Sequence, residues 1–240
     1  RHAHLGNGIW RKAKQGLVVA LLRQDKDVSE QLSVFFKEAQ RLGSMTALAN
    51  SAFLYGLWRL RCRNWIKAEK ELQRSLRLAT TGGLEEIQGD SLSQLAATKA
   101  FLGKLVEARE AHRQAYALFK ARGLQRKLWI SQLQWVALFL LDAPLDRFKE
   151  HMDRLSPPQD VAVQLWWCLF QAIRCASITD RLGTQKWWEK AKKNDLNLYW
   201  DLNVCFVLQA LFRYARPHSP QIVFEIKREL GRIYGTLTDK

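Results

Sequence analysis

One outline recurs every forty residues in this chain, and a fixed period in the twenties to forties is the mark of helical units stacked as a solenoid. The stretch from Asn64 to Leu78, with Tyr55 and Gly56 just ahead of it, reads as the second half of a helical hairpin. Forty residues on, Gly103 to Ala115 repeats its outline, with Ala108 in place of Ala68 and Ala115 in place of Ser75. Set in rows of forty, one column holds Gly16, Gly56, Ala96, Val136 and Ala176, small or modest residues on the first helix of each pair. A second holds Val28, Ala68, Ala108, Phe148 and Trp188, at the start of each second helix. Leu32, Leu72, His112, Met152 and Lys192 follow four positions on, then Phe35, Ser75, Ala115, Leu155 and Asp195. Small residues in the first column let two helices approach closely, and the spacing of four and seven gives each second helix one buried stripe. The last rows depart most from the pattern, as end repeats do.

Composition agrees with an all-helical chain. Five Pro in 240 residues and long runs rich in Leu, Ala, Gln, Lys and Arg favour helices, and alternating Val, Ile and Thr between turn residues are missing. The expected helices run 7–24, 28–42, 44–63, 65–79, 84–102, 104–121, 124–141, 145–155, 161–181, 185–194, 196–215 and 221–236. Gly82 and Gly83, Gly103, Gly123, Pro144, Pro157 with Pro158, and Pro217 with Pro220 punctuate them. They group into about six antiparallel pairs, near 7–43, 44–82, 83–122, 124–158, 159–195 and 196–237, read as a single domain over 1–240. The first residue is Arg rather than Met, which leads us to expect a piece of a longer protein.

Tyr55 and Gly56 followed by Trp65, Ala68, Leu72 and Ser75 resemble the tetratricopeptide repeat. Gln15 and Gly16 with Val28 and Phe35, and Ala96 with Ala108 and Ala115, are weaker copies. The resemblance covers roughly residues 9–195. It departs from the family in its forty-residue period, against the usual 34, and in lacking the closing Pro in the first three rows. Longer repeats of this sort are similar to those in the sensor arms of large bacterial transcription regulators and in eukaryotic adaptor scaffolds. The resemblance implies a right-handed superhelix whose first helices line a concave groove. By position, Lys14, Asn50, Phe53, Arg61, Gln94, Gln134, Arg174 and Arg181 face that groove, and the arginines suit an acidic peptide or a phosphate. The Lys and Asn set with which some members clamp a peptide's C-terminal carboxylate is not reproduced at these positions.

No constellation for catalysis is present. The nucleophile elbow, the phosphate-binding loop, the paired-His zinc motif and the dinucleotide glycine fingerprint are all missing. Glu85 and Glu86 open a helix, where carboxylates complement the macrodipole. His112 falls on the buried stripe between Ala108 and Ala115, and His2 and His4 lie at the N-terminal end. Cys62, Cys168, Cys175 and Cys205 form no C-x-x-C pair, and Cys168 and Cys175 share a helix face as small core residues. We therefore expect a non-enzyme without cofactor or metal, in the reducing cytoplasm. The longest apolar runs fall far short of the roughly eighteen residues of a membrane span.

The formal charge of +15 is spread along the chain, every sixty-residue quarter being positive. It meets aromatics from Trp58 to Trp65 and from Gln185 to Lys193. The expected function is a peptide- or protein-binding scaffold for an acidic partner, arranged as a sensor or adaptor arm. The alternative is a helical-repeat RNA- or DNA-binding protein using Arg59, Arg61, Arg63, Lys186, Lys190 and Lys193. Trp65 and Trp188 occupy repeat columns and are expected in packing rather than on bases. A third class, an oligomerisation scaffold, would expose Trp166, Trp167, Trp200, Val204, Phe206, Leu211 and Phe212 at one end. Packing within the chain is expected for these instead.

Overall fold

Backbone residues in the left-handed region recur every twenty positions, at Gly43, Arg63, Gly83, Gly103 and Gly123, and each ends a helix. At Gly83 the closure takes two bonds: Leu84 N–H donates to the Ala79 carbonyl (2.8 Å) and Gly83 N–H to that of Thr80 (3.2 Å). The same pair of bonds forms after Arg59, after Lys99 and after Cys175, satisfying carbonyls that a helix end leaves open. The next helix then starts on a cap. Ser44 Oγ accepts from Ala47 N–H, Asn64 Oδ1 from Lys67 N–H and Asp180 Oδ1 from Gly183 N–H. The forty-residue repeat is thus two helical half-units of twenty.

The structure, a computed structural model, describes residues 27–142, 145–155, 157, 161–193 and 202–235. Its elements are α1 (Ser29–Arg41), α2 (Met45–Arg61), α3 (Trp65–Thr81), α4 (Glu85–Phe101), α5 (Leu105–Ala121), α6 (Gln125–Asp142), α7 (Leu145–Asp153), α8 (Val161–Ser177), α9 (Arg181–Lys193), α10 (Leu202–Ala215) and α11 (Pro220–Gly235). No strand occurs among the described residues. The helix expected at 7–24 lies outside them, as do Lys14, Gly16, Asp195 and Trp200.

The chain divides into two compact units, Arg1–Ala121 and Arg122–Lys240, parted between the third and fourth expected pairs. In the first unit each helix packs on its neighbour from α1 to α5, and α2 also meets α4. The repeat columns fill this core: Val28, Phe35, Leu32, Gly56, Ala68, Leu72, Ser75, Ala96, Ala108, His112 and Ala115 are all buried. At Gly56 a Cβ would stand 2.6 Å from Leu72 Cγ, so the α2–α3 approach requires glycine there. Ser75 Oγ donates to the Ala49 carbonyl (2.8 Å) and receives from Ser91 Oγ (2.9 Å), tying α3 to α2 and α4 at a fully buried position.

In the second unit the same columns carry Val136, Phe148, Met152, Ala176 and Trp188, all buried, with the large Phe148 and Trp188 in place of alanines, whereas Leu155 and Lys192, expected on the buried stripe, are half-buried. The layout changes with them. Helix α8, apolar on nearly every side through Leu165, Trp166, Trp167, Leu169, Phe170 and Ile173, contacts α6, α9 and α10, and α6 also reaches α10. The first helices of this unit therefore close on one another around a shared core. Trp188 Nε1–H donates to Glu225 Oε2 (2.7 Å), which also accepts from Lys192 Nζ (2.8 Å), joining α9 to α11.

Candidate interaction surface

Outward-facing side chains belong mainly to the second helices. On α2 only Met45 and Thr46 are exposed, and on α4 only Glu86, whereas α3 and α5 each show a full exposed stripe. The groove residues expected on first helices are accordingly half-enclosed. Asn50, Phe53 and Arg61 lie on α2 and Gln94 on the adjoining α4, each of intermediate burial. Burial pulls the Arg61 guanidinium below its usual pKa, against a smaller opposing influence of Cys62. Gln134, on α6, is 5 % exposed and sits inside the core. Arg174 on α8 is held by Asp153 at the end of α7, Nη2 to Oδ1 2.8 Å. Arg181 departs from the expected placement: Thr179 and Asp180 break the helix after Ser177, so Arg181 opens α9 rather than ending a first helix.

The six cations expected at a nucleic-acid surface fall into two groups. Lys186, Lys190 and Lys193 share an exposed face of α9 at a spacing of four and three, with Lys190 Nζ 4.4 Å above the Trp187 ring. Arg59 and Arg61 end α2 and Arg63 occupies the left-handed turn after it. The Arg59 guanidinium sits over Trp58, its Cζ 4.2 Å from the ring centroid. That ring begins a ladder: Trp58 meets Tyr55 edge-on at 6.2 Å, Tyr55 meets Phe36 of α1 at 6.2 Å, and Arg74 of α3 covers Phe36 at 4.6 Å. Burial raises the Tyr55 phenol above its usual pKa despite a hydrogen bond with Ser33.

Trp65 stacks on Phe101 at 4.7 Å with a 5° tilt, and Trp188 is 0 % exposed. Both tryptophans pack, as their repeat columns imply. Trp166, Trp167 and Leu211 are buried and Phe212 is partly so, whereas Val204 and Phe206 have no described side chain.

A surface that reading by sixty-residue quarters passes over lies on α3. Lys67, Lys70, Arg74 and Arg77 fall at a spacing of three, four and three, one helix face, and among the described residues only Arg74 has a carboxylate within ion-pair distance, Glu71 at 3.8 Å. The spacing was available in the sequence. A neighbouring network was not: Glu69 of α3 receives Lys104 Nζ (2.9 Å) and lies 3.7 Å from Lys99 of α4, which in turn pairs with Glu107 of α5. The hydrogen bond to Glu69 raises the Lys104 ammonium, and that from Lys99 lowers the Glu107 carboxyl.

Among the described residues no three His, Cys, Asp or Glu side chains gather as a metal site, and no helix is long and apolar enough to cross a membrane. Burial raises the thiols of Cys168 and Cys175, which disfavours thiolate chemistry there. Glu85 and Glu86 stand in the first turn of α4, and His112 is buried on its stripe. No family model matches this chain, and no match to it is found among curated proteins.

Proposed function

We propose that the chain is a non-catalytic scaffold, similar to tetratricopeptide repeats in a right-handed stack of about six helix pairs, that binds an acidic peptide or protein segment. The observation that carries this reading is the treatment of the aromatic rings beside the cations. Trp65, Trp58, Phe36 and Trp187 have a ring face covered by Phe101, Arg59, Arg74 and Lys190 respectively, and Trp188 is enclosed. Single-stranded nucleic acid binding draws on free aromatic faces for base stacking, and one face of each of these rings is already taken. Guanidiniums laid on rings instead keep their N–H edges for carboxylates, in the fork geometry that arginine offers. A role as the sensor or adaptor arm of a larger cytoplasmic regulator fits such a scaffold. The lysine face of α9 favours the second reading, phosphate binding along a helix.

The test is fluorescence anisotropy of the 240-residue chain with a Glu-rich helical peptide and with mixed-sequence single-stranded RNA of equal charge, at about 50 and 200 mM salt. The scaffold reading expects the peptide to be bound at both and the RNA to weaken about a thousandfold or more between them. Submicromolar RNA binding at the higher salt, with the peptide excluded, would establish the second reading.

A further inference from the structure

The exposed face of α3 is basic in one repeat only. Forty residues after Lys67, Lys70, Arg74 and Arg77, the equivalent positions on α5 hold Glu107, Glu110, Gln114 and Ala117. On α5 the carboxylates are matched, Glu107 with Lys99 of α4 and Glu110 with Arg113 of the same helix. On α3 the match is missing: among the described residues no carboxylate lies within ion-pair distance of Lys67, Lys70 or Arg77. A cationic face that served only solubility would need no such concentration on a single helix.

We propose that this face of α3, continued through the aromatic ladder to Arg59, is the docking surface for an acidic helical segment of a partner protein. The inference rests on the scaffold reading above and assigns its surface. Helical rise places Lys67 and Arg77 about 15 Å apart, with the cations about 5 Å from one to the next. Glutamates at positions i, i+3, i+7 and i+10 of a second helix have the same spacing, so about three turns of one face oppose about three turns of the other. Ile66, 74 % exposed beside Lys67, offers an apolar contact at the end of the stripe. At the other margin Phe36 orients the Arg74 guanidinium, and Trp58 orients that of Arg59. Preorganised cations lose little freedom when a carboxylate arrives. A nucleic acid strand would meet the same charge beside rings that already carry a guanidinium on one face.

The experiment uses the whole chain and a labelled helical peptide with Glu at every third and fourth position. Reversing Lys70→Glu with Arg77→Glu is expected to weaken peptide binding at least tenfold. The control pair Arg213→Glu with Arg228→Glu, exposed on α10 and α11 and of the same net charge change, is expected to weaken it less than twofold. Lys70→Gln with Arg77→Gln, which removes charge without adding repulsion, is expected to fall between them. Equal losses in the two reversed pairs, or no loss in the α3 pair, overturn the assignment while leaving a scaffold that binds elsewhere. A wild-type chain that does not bind the peptide overturns the scaffold reading itself. Displacement of the peptide by single-stranded RNA of equal charge at about 200 mM salt shows a phosphate surface and overturns both.

Discussion

Removing the Glu225 carboxylate should weaken the second unit by an amount that its geometry fixes in advance. The Trp188 indole N–H is sealed from solvent and has Glu225 as its acceptor at 2.7 Å. Truncation to Ala leaves a buried donor unpaired, at about 1–3 kcal/mol. The ion pair with Lys192 adds less, about 0–1 kcal/mol, because Lys192 keeps Glu189 at 2.8 Å. Together Glu225→Ala should cost about 2–3 kcal/mol, which lowers the melting temperature by about 5–10 °C in a chain of this size. Glu225→Gln retains an oxygen for the indole and should cost about 1 kcal/mol. Thermal and urea unfolding of both variants, crossed with Trp188→Phe, give the coupling of the pair directly, expected at about 1.5–3 kcal/mol. Burial raises the Glu225 carboxyl, yet the hydrogen bonds from Lys192 and Trp188 outweigh it and hold it below the usual range. A depressed carboxylate stabilises above its unfolded pKa and loses that contribution as pH falls through the folded value. The difference between wild type and Glu225→Gln should therefore shrink below about pH 4.3, the unfolded value of a glutamate. Equal small costs for Ala and Gln, with no coupling to Trp188, would refute the reasoning.

The same substitution should act in opposite directions at two glycines. Gly56→Ala sets a methyl against Leu72 and should cost about 1–3 kcal/mol from overpacking, less up to about 1 kcal/mol of helix propensity, whereas Gly231→Ala, with open space around it in α11, should stabilise by about 1 kcal/mol. Urea midpoints that move the same way would contradict this. Ser75→Ala should cost about 1 kcal/mol by stranding the Ser91 hydroxyl, and adding Ser91→Ala should recover part of it. A double variant weaker than the sum of the singles, by denaturant titration, would count against that bond. Arg63→Gly should raise stability by about 1 kcal/mol, since Arg63 holds a left-handed conformation at the position filled by glycine in the other turns. Calorimetry showing a lower melting temperature would set the side chain's contacts above its backbone strain.

Helix positions and core faces were legible because each depends on near neighbours in sequence. The columns through Ala68, Ala108 and Trp188 predicted burial from spacing alone, and Gly83, Gly103 and Gly123 marked helix ends by their conformational freedom. The twenty-residue half-period is hidden in the sequence because Arg63 stands where its fellows are glycine. The end of α8 comes at Ser177 rather than near Arg181 for a related reason: Thr179 adopts the left-handed turn without a glycine to announce it. What was not legible is contact between helices distant in sequence. The approach of α6 to α10 and the choice of Glu225 by Trp188 depend on how large residues fill one shared core. The α3 stripe is an intermediate case. Its spacing is on view, but only the structure shows that Arg74 reaches Glu71 while the carboxylates of the equivalent face on α5 are paired.

The most direct test of the account is to watch the arginine side chains while a Glu-rich helical peptide is titrated into the chain, by NMR of the Nε–Hε groups. The account predicts that Arg59 and Arg74 shift in parallel with saturation, while Arg174, held by Asp153, and Arg181 on α9 stay in place. Shifts led by Arg174 and Arg181, with Arg59 and Arg74 unmoved, would contradict it and return binding to the face that the repeat resemblance first implied.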